Sequence, residues 1–246
     1  MKNPIILLTD FGLQDAYIGV LKGVIAKINP EICVIDLCHF IESQNIQHGR
    51  TILLDNFEYF PANSVFCCII DPGVGTNRKA LVIQYQNKLF IGPDNGLLND
   101  FLIDGKIWEL PVKKNISSTF HGRDIFAPWA AKLASNRNLL NELKTLSTSD
   151  IQTSSFADVM INEQWQNLDI IYTDHFGNLV TNGIYKKGKL EVKLNQSDII
   201  TAENYSEIPD NTLAAIKGST NRLEISIKNG NAARSIVPNS VKARIV

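Results

Sequence analysis

The side chains best suited to chemistry in this chain include an aspartate and an arginine, Asp71 and Arg78, at the two ends of a glycine-containing turn. The turn follows residues 64–70, whose β-branched and aromatic side chains predict a buried strand. In open α/β sheets ligands bind at the carboxyl ends of strands, and the two glycines of the turn let backbone amides approach a ligand closely. A carboxylate and a guanidinium there could bind a ligand or move a proton, but they could equally form an ordinary loop ion pair.

A second carboxylate and a histidine are further candidates. Asp10 follows a predicted strand at residues 4–9, so it lies at the same kind of strand end as Asp71. His121 lies in the sequence Phe-His-Gly-Arg-Asp, between a Ser/Thr run and an apolar helix. A lone histidine is more often structural than catalytic, yet these surroundings are unusual enough to make His121 a candidate.

Two polar groups stand out in the last third of the chain. One is the run from Asp174 to Asn178, and the other is a Gly-Ser-Thr-Asn sequence containing Ser219, just ahead of a strand. Asp, Asn, Gly and Ser are also the residues that turns prefer, so each group could be turn chemistry alone.

The elements that would position these residues alternate between strand and helix in the first part of the chain. Strands are predicted at residues 4–9, 33–38, 64–70, 80–85 and 88–91, the last two forming a hairpin. Helices are predicted at residues 15–28, 45–57 and 125–134. The three-and-four spacing of the first helix predicts an apolar face made of Tyr17, Val20, Leu21, Val24 and Ile28. This alternation predicts an α/β domain over residues 1–150.

A polar segment without periodicity between residues 138 and 155 is typical of a connector, and it predicts a domain boundary. Beyond it, over residues 156–246, the predicted elements are short strands with one short helix near residues 231–234. The strands are expected at residues 168–173, 179–182, 189–194, 212–216, 223–227 and 240–246. A small β-barrel or sandwich is the natural interpretation.

Composition excludes several classes of function. The 246 residues carry a formal net charge of −1, with no basic stripe for nucleic acid, no apolar run of membrane-spanning length and no signal peptide. The expected location is therefore the cytoplasm. The cysteines, which lie in apolar runs without metal-ligand spacing, are expected to be buried thiols that form neither disulfides nor a zinc site: Cys33, Cys38, Cys67 and Cys68.

Five motifs, in this order, resemble those of the S-adenosylmethionine (SAM) hydroxide adenosyltransferases, a family related to the SAM-dependent chlorinases and fluorinases. They are Thr9-Asp10-Phe11-Gly12, Asp71-Pro72-Gly73-Val74-Gly75 with Arg78, Pro93-Asp94-Asn95-Gly96, Phe120-His121-Gly122-Arg123-Asp124, and Asp174-His175-Phe176-Gly177-Asn178. The resemblance covers essentially the whole chain. It implies a Rossmann-like N-terminal α/β domain, a C-terminal β-barrel domain and a homotrimer with active sites between subunits. The implied reaction converts SAM and water to adenosine and methionine, with SAM as substrate and no cofactor.

The resemblance also implies a role for individual residues. Asp71, Arg78 and His121 match the set that positions and activates water, and either Asp71 or His121 could take the proton. The residues implied to bind substrate are Asp10 at the ribose hydroxyls, Phe120 against the nucleoside, Asp174 at the methionine ammonium, Asn178 at adenine and Ser219 near the methionine end. No metal is expected, because a sulfonium departs as a neutral thioether and needs neither a general acid nor a Lewis acid.

Two other functions remain possible from the sequence. A SAM-dependent halogenase is the closest one, although by resemblance the halogenases have an aromatic residue in place of Asp71 and a serine in place of Gly122. A nucleotide-binding regulatory module could use residues 73–75 as an anion-binding nest, but the chain lacks a P-loop lysine motif and a full dinucleotide fingerprint. A purely structural interaction protein would leave the polar motifs at strand ends without a reason.

Overall fold

A seven-stranded mixed sheet forms the centre of the first part of the chain in the computed structural model, which describes residues 3–113 and 115–246. Its strands are β1 (Ile5–Thr9), β2 (Val34–Cys38), β3 (Val65–Ile69), β4 (Ala80–Tyr85), β5 (Lys88–Pro93), β6 (Lys106–Glu109) and β7 (Lys144–Leu146). The order across the sheet is β2-β1-β3-β5-β4-β6-β7. The first four strands in this order pair in parallel and the remaining pairs are antiparallel. The carboxyl ends of β1, β3 and β5 therefore meet at one edge.

Helices cover both faces of this sheet, because alternate side chains of each strand point to opposite sides. Ile5 and Leu7 of β1 belong to one apolar layer, and Ile6 and Leu8 belong to the other. Helices α1 (Tyr17–Ile28) and α3 (Ala127–Ser135) contribute to the first layer, and α2 (Ile46–Asn56) contributes to the second. Strands buried on both faces are continuous apolar runs, which is why the sequence predicted β1 and β3 well.

The apolar face predicted for α1 is wrong in part. Its buried residues are Ile18, Leu21 and Ile25, while Tyr17 is 47% exposed and Ile28 is 40% exposed. The buried stripe has the expected three-and-four spacing but lies one residue further round the helix. The sequence left this choice open because apolar residues stand side by side at several points along α1.

The prediction that all four cysteines are buried is also wrong in part. Cys67 and Cys68 are fully buried in β3, and burial raises the pKa of the Cys67 thiol to about 12. Cys33 is exposed and Cys38 is half-buried, because β2 is the edge strand of the sheet and Cys33 precedes it. All four are free thiols.

The predicted hairpin is confirmed by antiparallel pairing of β4 with β5. Its two turn residues, Gln86 and Asn87, have φ angles of 45° and 62°. A two-residue turn with φ positive at both positions matches the twist of the flanking strands. Strands β6 and β7 were not predicted; both are short and partly exposed, so they lack a clear apolar pattern.

The chain divides into two compact units, Met1–Ser155 and Phe156–Val246, and a nine-stranded sheet forms the second. Its strands are β8 (Val159–Met160), β9 (Gln166–Leu168), β10 (Ile170–Thr173), β11 (Leu179–Ile184), β12 (Leu190–Leu194), β13 (Ser197–Ala202), β14 (Leu213–Lys217), β15 (Arg222–Ile227) and β16 (Val241–Ile245). The single α-helix described in this unit is α4 (Ala232–Ser235), close to the predicted position.

This second sheet is nearly closed into a barrel. Its order is β10-β11-β15-β14-β13-β12-β16-β9, with β8 paired to β11. The end strands β9 and β10 are separated by Asp169 alone. The side-chain Oδ1 of Asn182 accepts from the Asp169 N–H, and the backbone N–H of Asn182 donates to the Asp169 carbonyl. The predicted fold class, an α/β part followed by a β-barrel, is confirmed. In the described residues, no helix is long and apolar enough to cross a bilayer.

Buried His48 gives the fold a pH dependence that can be measured. Its Nδ1 accepts a hydrogen bond from the Glu42 N–H, 3.2 Å away, and burial lowers the pKa of His48 to about 4, against the opposing charge of Glu42. The unfolded chain takes up a proton near pH 6.5 but the folded chain does so only near pH 4. The contribution of His48 to the free energy of unfolding is therefore fully present above pH 6.5, and it is lost as the pH drops towards 4.

We expect urea denaturation to give an unfolding free energy about 2 kcal/mol lower at pH 4.5 than at pH 7 from this residue alone. His48→Gln keeps an acceptor for the Glu42 N–H but does not titrate, so its pH dependence is expected to be smaller by that amount. His175→Gln, at an exposed position, is the control and is expected to match the wild type. Parallel pH dependence in all three proteins would contradict the prediction.

Candidate active site

Two carboxylates lie at the carboxyl edge of the first sheet. Asp10 follows β1 directly and Asp71 follows β3 after one residue, and Thr9 is opposite Ile69 in the pairing of these strands. Burial raises the pKa of Asp10; a hydrogen bond from the Gln44 N–H, 2.8 Å from Oδ2, opposes this shift, and the charge of Asp71 adds to it. The sequence-based expectation that both residues occupy one edge therefore agrees with the geometry.

The Asp71 carboxylate is held by Arg78 through two parallel hydrogen bonds. Nε of Arg78 donates to Oδ1 at 2.8 Å and Nη2 donates to Oδ2. The side chain of Asp71 is only 6% exposed and that of Arg78 only 4%, so water screens the pair weakly. Bidentate, charge-assisted contacts of this kind fix both groups in direction as well as in distance.

His121 joins this pair although it lies 43 residues further along the chain than Arg78. The Nη2 group of Arg78 also donates to Nδ1 of His121, 2.9 Å away. Burial and the charge of Arg78 lower the pKa of His121, against the opposing charges of Asp71 and Asp124. The imidazole is thus neutral at pH 7, with Nδ1 as acceptor and its proton on Nε2, which can donate a hydrogen bond.

A glycine allows the segment that carries His121 to approach the Asp71 turn. Gly75 has a φ of +81°, and a Cβ there would lie 2.5 Å from the carbonyl oxygen of Ser118. After His121 the chain forms a π-helical turn, Gly122–Phe126, before α3 begins. Such turns are rare and occur often at functional sites. The predicted helix start at residue 125 falls inside this turn.

Aromatic rings surround Phe120, the residue expected to pack against a nucleoside. Its ring centroid lies 6.1 Å from that of Phe11 and 5.2 Å from that of Tyr17, and the Arg123 guanidinium stands 5.4 Å above it. Tyr17, which was assigned to the buried face of α1, is instead exposed and belongs to this aromatic group, whose other two rings are half-buried. Phe11 could have been found from its position within the first motif.

His39 holds the turn that contains Asp10. The hydroxyl of Thr9 lies 2.9 Å from Nδ1 of His39, and the Gly12 N–H donates to the His39 carbonyl at 2.7 Å. On its other side, Nε2 of His39 lies 3.1 Å from Oδ1 of Asp36. No sequence pattern connects these residues, because they come from two different strand ends.

The third motif, Pro93-Asp94-Asn95-Gly96, forms structural hydrogen bonds at the same edge of the first sheet. Asp94 is buried, which raises its pKa, and its Oδ1 accepts from the Gln152 N–H at 2.9 Å. Asn95 donates through Nδ2 to the carbonyl of Ile70, also at 2.9 Å. The Asn95 bond fastens the chain directly before Asp71, and the Asp94 bond fastens the segment at Gln152.

The second unit contains a cavity of about 810 Å³ whose lining includes Asp174, Asn178 and Ser219. The Asp174 carboxylate accepts from the N–H groups of Phe176 and Asn178 through Oδ1, at 2.9 and 2.8 Å. Its Oδ2 accepts from the side-chain amide of Asn178 at 2.8 Å. The three residues of this unit that were predicted to bind substrate thus share one cavity.

Tyr205 and Glu224 line the same cavity and were missed by the sequence analysis. The Asn178 amide donates to the Tyr205 hydroxyl at 2.9 Å, and the same hydroxyl lies 3.4 Å from that of Ser226. Burial raises the pKa of Glu224 to about 7; the charge of Asp174 adds to the shift and the polar Tyr205 hydroxyl opposes it. The alternation Arg-Leu-Glu-Ile-Ser-Ile in β15 was the signal that could have identified Glu224, since its polar residues share one face.

Comparison with known proteins decides the family. The model of the SAM hydroxide adenosyltransferase N-terminal domain matches residues 5–143, and that of the C-terminal domain matches residues 168–237. The chain belongs to the SAM hydroxide adenosyltransferase family.

Relatives in this family match most of the chain. An (R)-S-adenosyl-L-methionine hydrolase of Thermus thermophilus is 29% identical and covers 95% of both chains. One from Salinispora tropica is 28% identical over 92% of this chain and 90% of its own. A solved structure of a conserved Thermotoga maritima protein has 29% identity and a TM-score of 0.85, covering 98% of this chain and 99% of its own. A fluorinase of Actinopolyspora mzabensis is 25% identical over 74% of this chain and 72% of its own.

Two features bear on chemistry within the SAM hydroxide adenosyltransferase family. A Cβ at Gly122 would lie 3.3 Å from the Phe120 ring and 3.4 Å from Ile69 and Leu21, so a side chain there would need its neighbours to move. In the described residues, no group of three His, Cys, Asp or Glu side chains is arranged to hold a metal ion.

Proposed function

We propose that this protein hydrolyses SAM to adenosine and L-methionine by attack of water on the ribose C5′ carbon. The observation that carries the proposal is the contact set of Asp71, Arg78 and His121 at the sheet edge where α/β proteins bind ligands. Family relatives named SAM hydrolases support it.

In the proposed mechanism, Asp71 accepts the proton of the attacking water. Each Asp71 oxygen keeps a second lone pair beyond its bond to Arg78, whereas the His121 Nδ1 lone pair already accepts from Arg78. His121 therefore orients the water by donating from Nε2. The new bond joins the water oxygen to C5′, the C5′–S bond breaks, its electron pair goes to sulfur, and methionine leaves as a neutral thioether.

The remaining residues would bind the substrate. By the family resemblance, Asp10 accepts from the ribose hydroxyls and Phe120 packs against the nucleoside. In the second unit, Asp174 would bind the ammonium and Ser219 would contact the methionine end. Because the Asn178 amide nitrogen already donates to Asp174 and Tyr205, its carbonyl oxygen would accept from the adenine amino group.

The competing chemistry is halide transfer, as in the fluorinases. A carboxylate about 4 Å from the attacking position would repel a halide by a few kcal/mol at an effective dielectric near 20. A serine at Gly122, as the halogenases have by resemblance, would also require the side chains of Phe120, Ile69 and Leu21 to shift by a few tenths of an ångström. We therefore expect halide to be a poor nucleophile for this enzyme.

The test is to incubate the purified protein with SAM in isotopically labelled water, with and without molar chloride and with EDTA, and to identify the nucleoside by mass spectrometry. The expected product in every arm is adenosine carrying the label at its 5′ oxygen. A 5′-chloro product, unlabelled adenosine or loss of activity in EDTA that a divalent ion restores would contradict the proposal.

We also propose a homotrimer with active sites between subunits, located in the cytoplasm. The assembly rests on the family resemblance. The four free cysteines, two of them fully buried in β3, suit a reducing compartment.

Mixing two inactive variants tests whether sites are shared. Asp71→Asn alters the first unit and Asp174→Ala alters the second, so sites built from two subunits become intact when each subunit supplies its unaltered unit. With free subunit exchange in equal amounts, we expect roughly a quarter of the wild-type activity to return, since each contribution is intact half the time. Mixed pairs that exchange subunits but remain inactive would contradict shared sites.

A further inference from the structure

Two acidic side chains, Asp174 and Glu224, line the second-unit cavity, and both are half-buried. Asp174 accepts from the Asn178 amide, and the same amide donates to the hydroxyl of Tyr205, which also lines the cavity. The family resemblance gave a role to Asp174 and none to Glu224.

The cationic side chains of this cavity are engaged elsewhere. Nζ of Lys217 donates to the carbonyl of Lys186 at 2.9 Å, and Nζ of Lys228 lies 3.4 Å from Asp210. Within residues 3–113 and 115–246, no Lys, Arg or His nitrogen comes within 4.0 Å of the carboxylates of Asp174 or Glu224. A half-buried cavity with two such groups favours a cationic ligand, because an ionised carboxylate removed from water needs a countercharge.

We propose that Glu224 is a second acidic contact for the ammonium of the substrate's amino-acid end, and that its carboxyl releases a proton to solvent when the ammonium enters. This inference rests on the proposed function for the identity of the ligand. Asp174 alone would balance the ammonium charge, and Glu224 would make its binding depend on pH.

The groups around Glu224 explain why it would titrate on binding. Burial and the charge of Asp174 raise its pKa to about 7, so near pH 7 roughly half of the unliganded molecules carry a neutral carboxyl. The other groups facing it are the Tyr205 hydroxyl, which is neutral, and Lys217 and Lys228, which are held by the contacts described above. A bound ammonium favours the ionised form, so the proton leaves.

The test is calorimetric binding of S-adenosylhomocysteine, which has the same amino-acid end as SAM but is not hydrolysed in the same way, because its sulfur would have to leave as a thiolate. We expect its Kd for the wild type to fall about eightfold between pH 6 and pH 7.5, a range in which the ligand ammonium stays largely protonated. Titrations at pH 7 in two buffers of different ionisation enthalpy are expected to show about half a proton released per ligand.

Glu224→Gln is expected to bind with a Kd that is nearly independent of pH and to release no proton. Its Kd is expected to be higher than that of the wild type even at pH 6, because the roughly one tenth of native molecules with an ionised carboxyl dominate binding there. A urea denaturation midpoint equal to that of the wild type shows that the variant is folded. Glu203→Gln, at an exposed carboxylate outside this cavity, is the matched control and is expected to behave as the wild type.

A wild-type Kd without pH dependence, proton release that survives in Glu224→Gln, or absence of binding would overturn the inference. These outcomes are separate from failure of the proposed function, which is measured as labelled adenosine released from SAM. A protein that hydrolyses SAM while Glu224→Gln keeps the wild-type pH dependence would overturn only the role of Glu224.

Discussion

Asp71→Asn is expected to lower the turnover of SAM at least about a hundredfold, the low end of what a general acid–base group contributes. Asparagine has nearly the shape of aspartate and keeps one oxygen for Arg78, but it cannot take a proton from water. The measurement is the rate of adenosine formation at saturating SAM.

A matched control exists in the same unit. Asp100 forms a second bidentate pair with Arg50, with N–O distances of 2.6 Å for both bonds, and the Arg50 side chain is only 6% exposed. Asp100→Asn makes the same chemical change away from the candidate site, so it is expected to lower stability without lowering turnover. Near wild-type turnover in Asp71→Asn, or an equal loss in both variants, would contradict the role of Asp71.

Arg78→Lys is expected to lower turnover by about a hundredfold, even though the positive charge is kept. The guanidinium makes two directed bonds to Asp71 and a third to His121, and an ammonium cannot reproduce this planar geometry. A small displacement of the groups that orient the nucleophile is enough for a loss of this size. We also expect the free energy of unfolding to fall by about 2 kcal/mol, because buried polar groups lose partners.

The control for this variant is Arg50→Lys at the second bidentate pair. It is expected to lose a similar amount of stability, measured by urea denaturation, while its turnover stays at the wild-type level. Arg78→Lys with normal turnover would show that the geometry of the Asp71 contact does not matter. Parallel losses of turnover in both variants would assign the effect to folding.

The sequence predicted the first sheet well because its central strands are buried on both faces. It could place Asp71 beside Arg78, since one short turn connects them. The residues alone could not predict that His121 contacts this pair, because the contact depends on the close approach of Ser118 to Gly75. Only the family resemblance grouped the three side chains in advance.

The second unit was harder to predict in detail. Strand β13 was missed because none of its residues is fully buried, although the left-handed residues Asn195 and Gln196 mark the turn before it. Tyr205 and Glu224 meet only through the fold, since they come from separate segments of the chain. No local sequence pattern therefore predicted that these two residues line one cavity.

The contacts of Asp71, Arg78 and His121 described above lie entirely within the first unit. The second unit holds its own polar network around Asp174 and Asn178. Substitutions in one of these two networks therefore leave the hydrogen bonds of the other unchanged. Residues of the second unit can diversify, in nature or in a selection experiment, towards other sulfonium substrates while the hydrogen bonds of the Asp71 group stay intact.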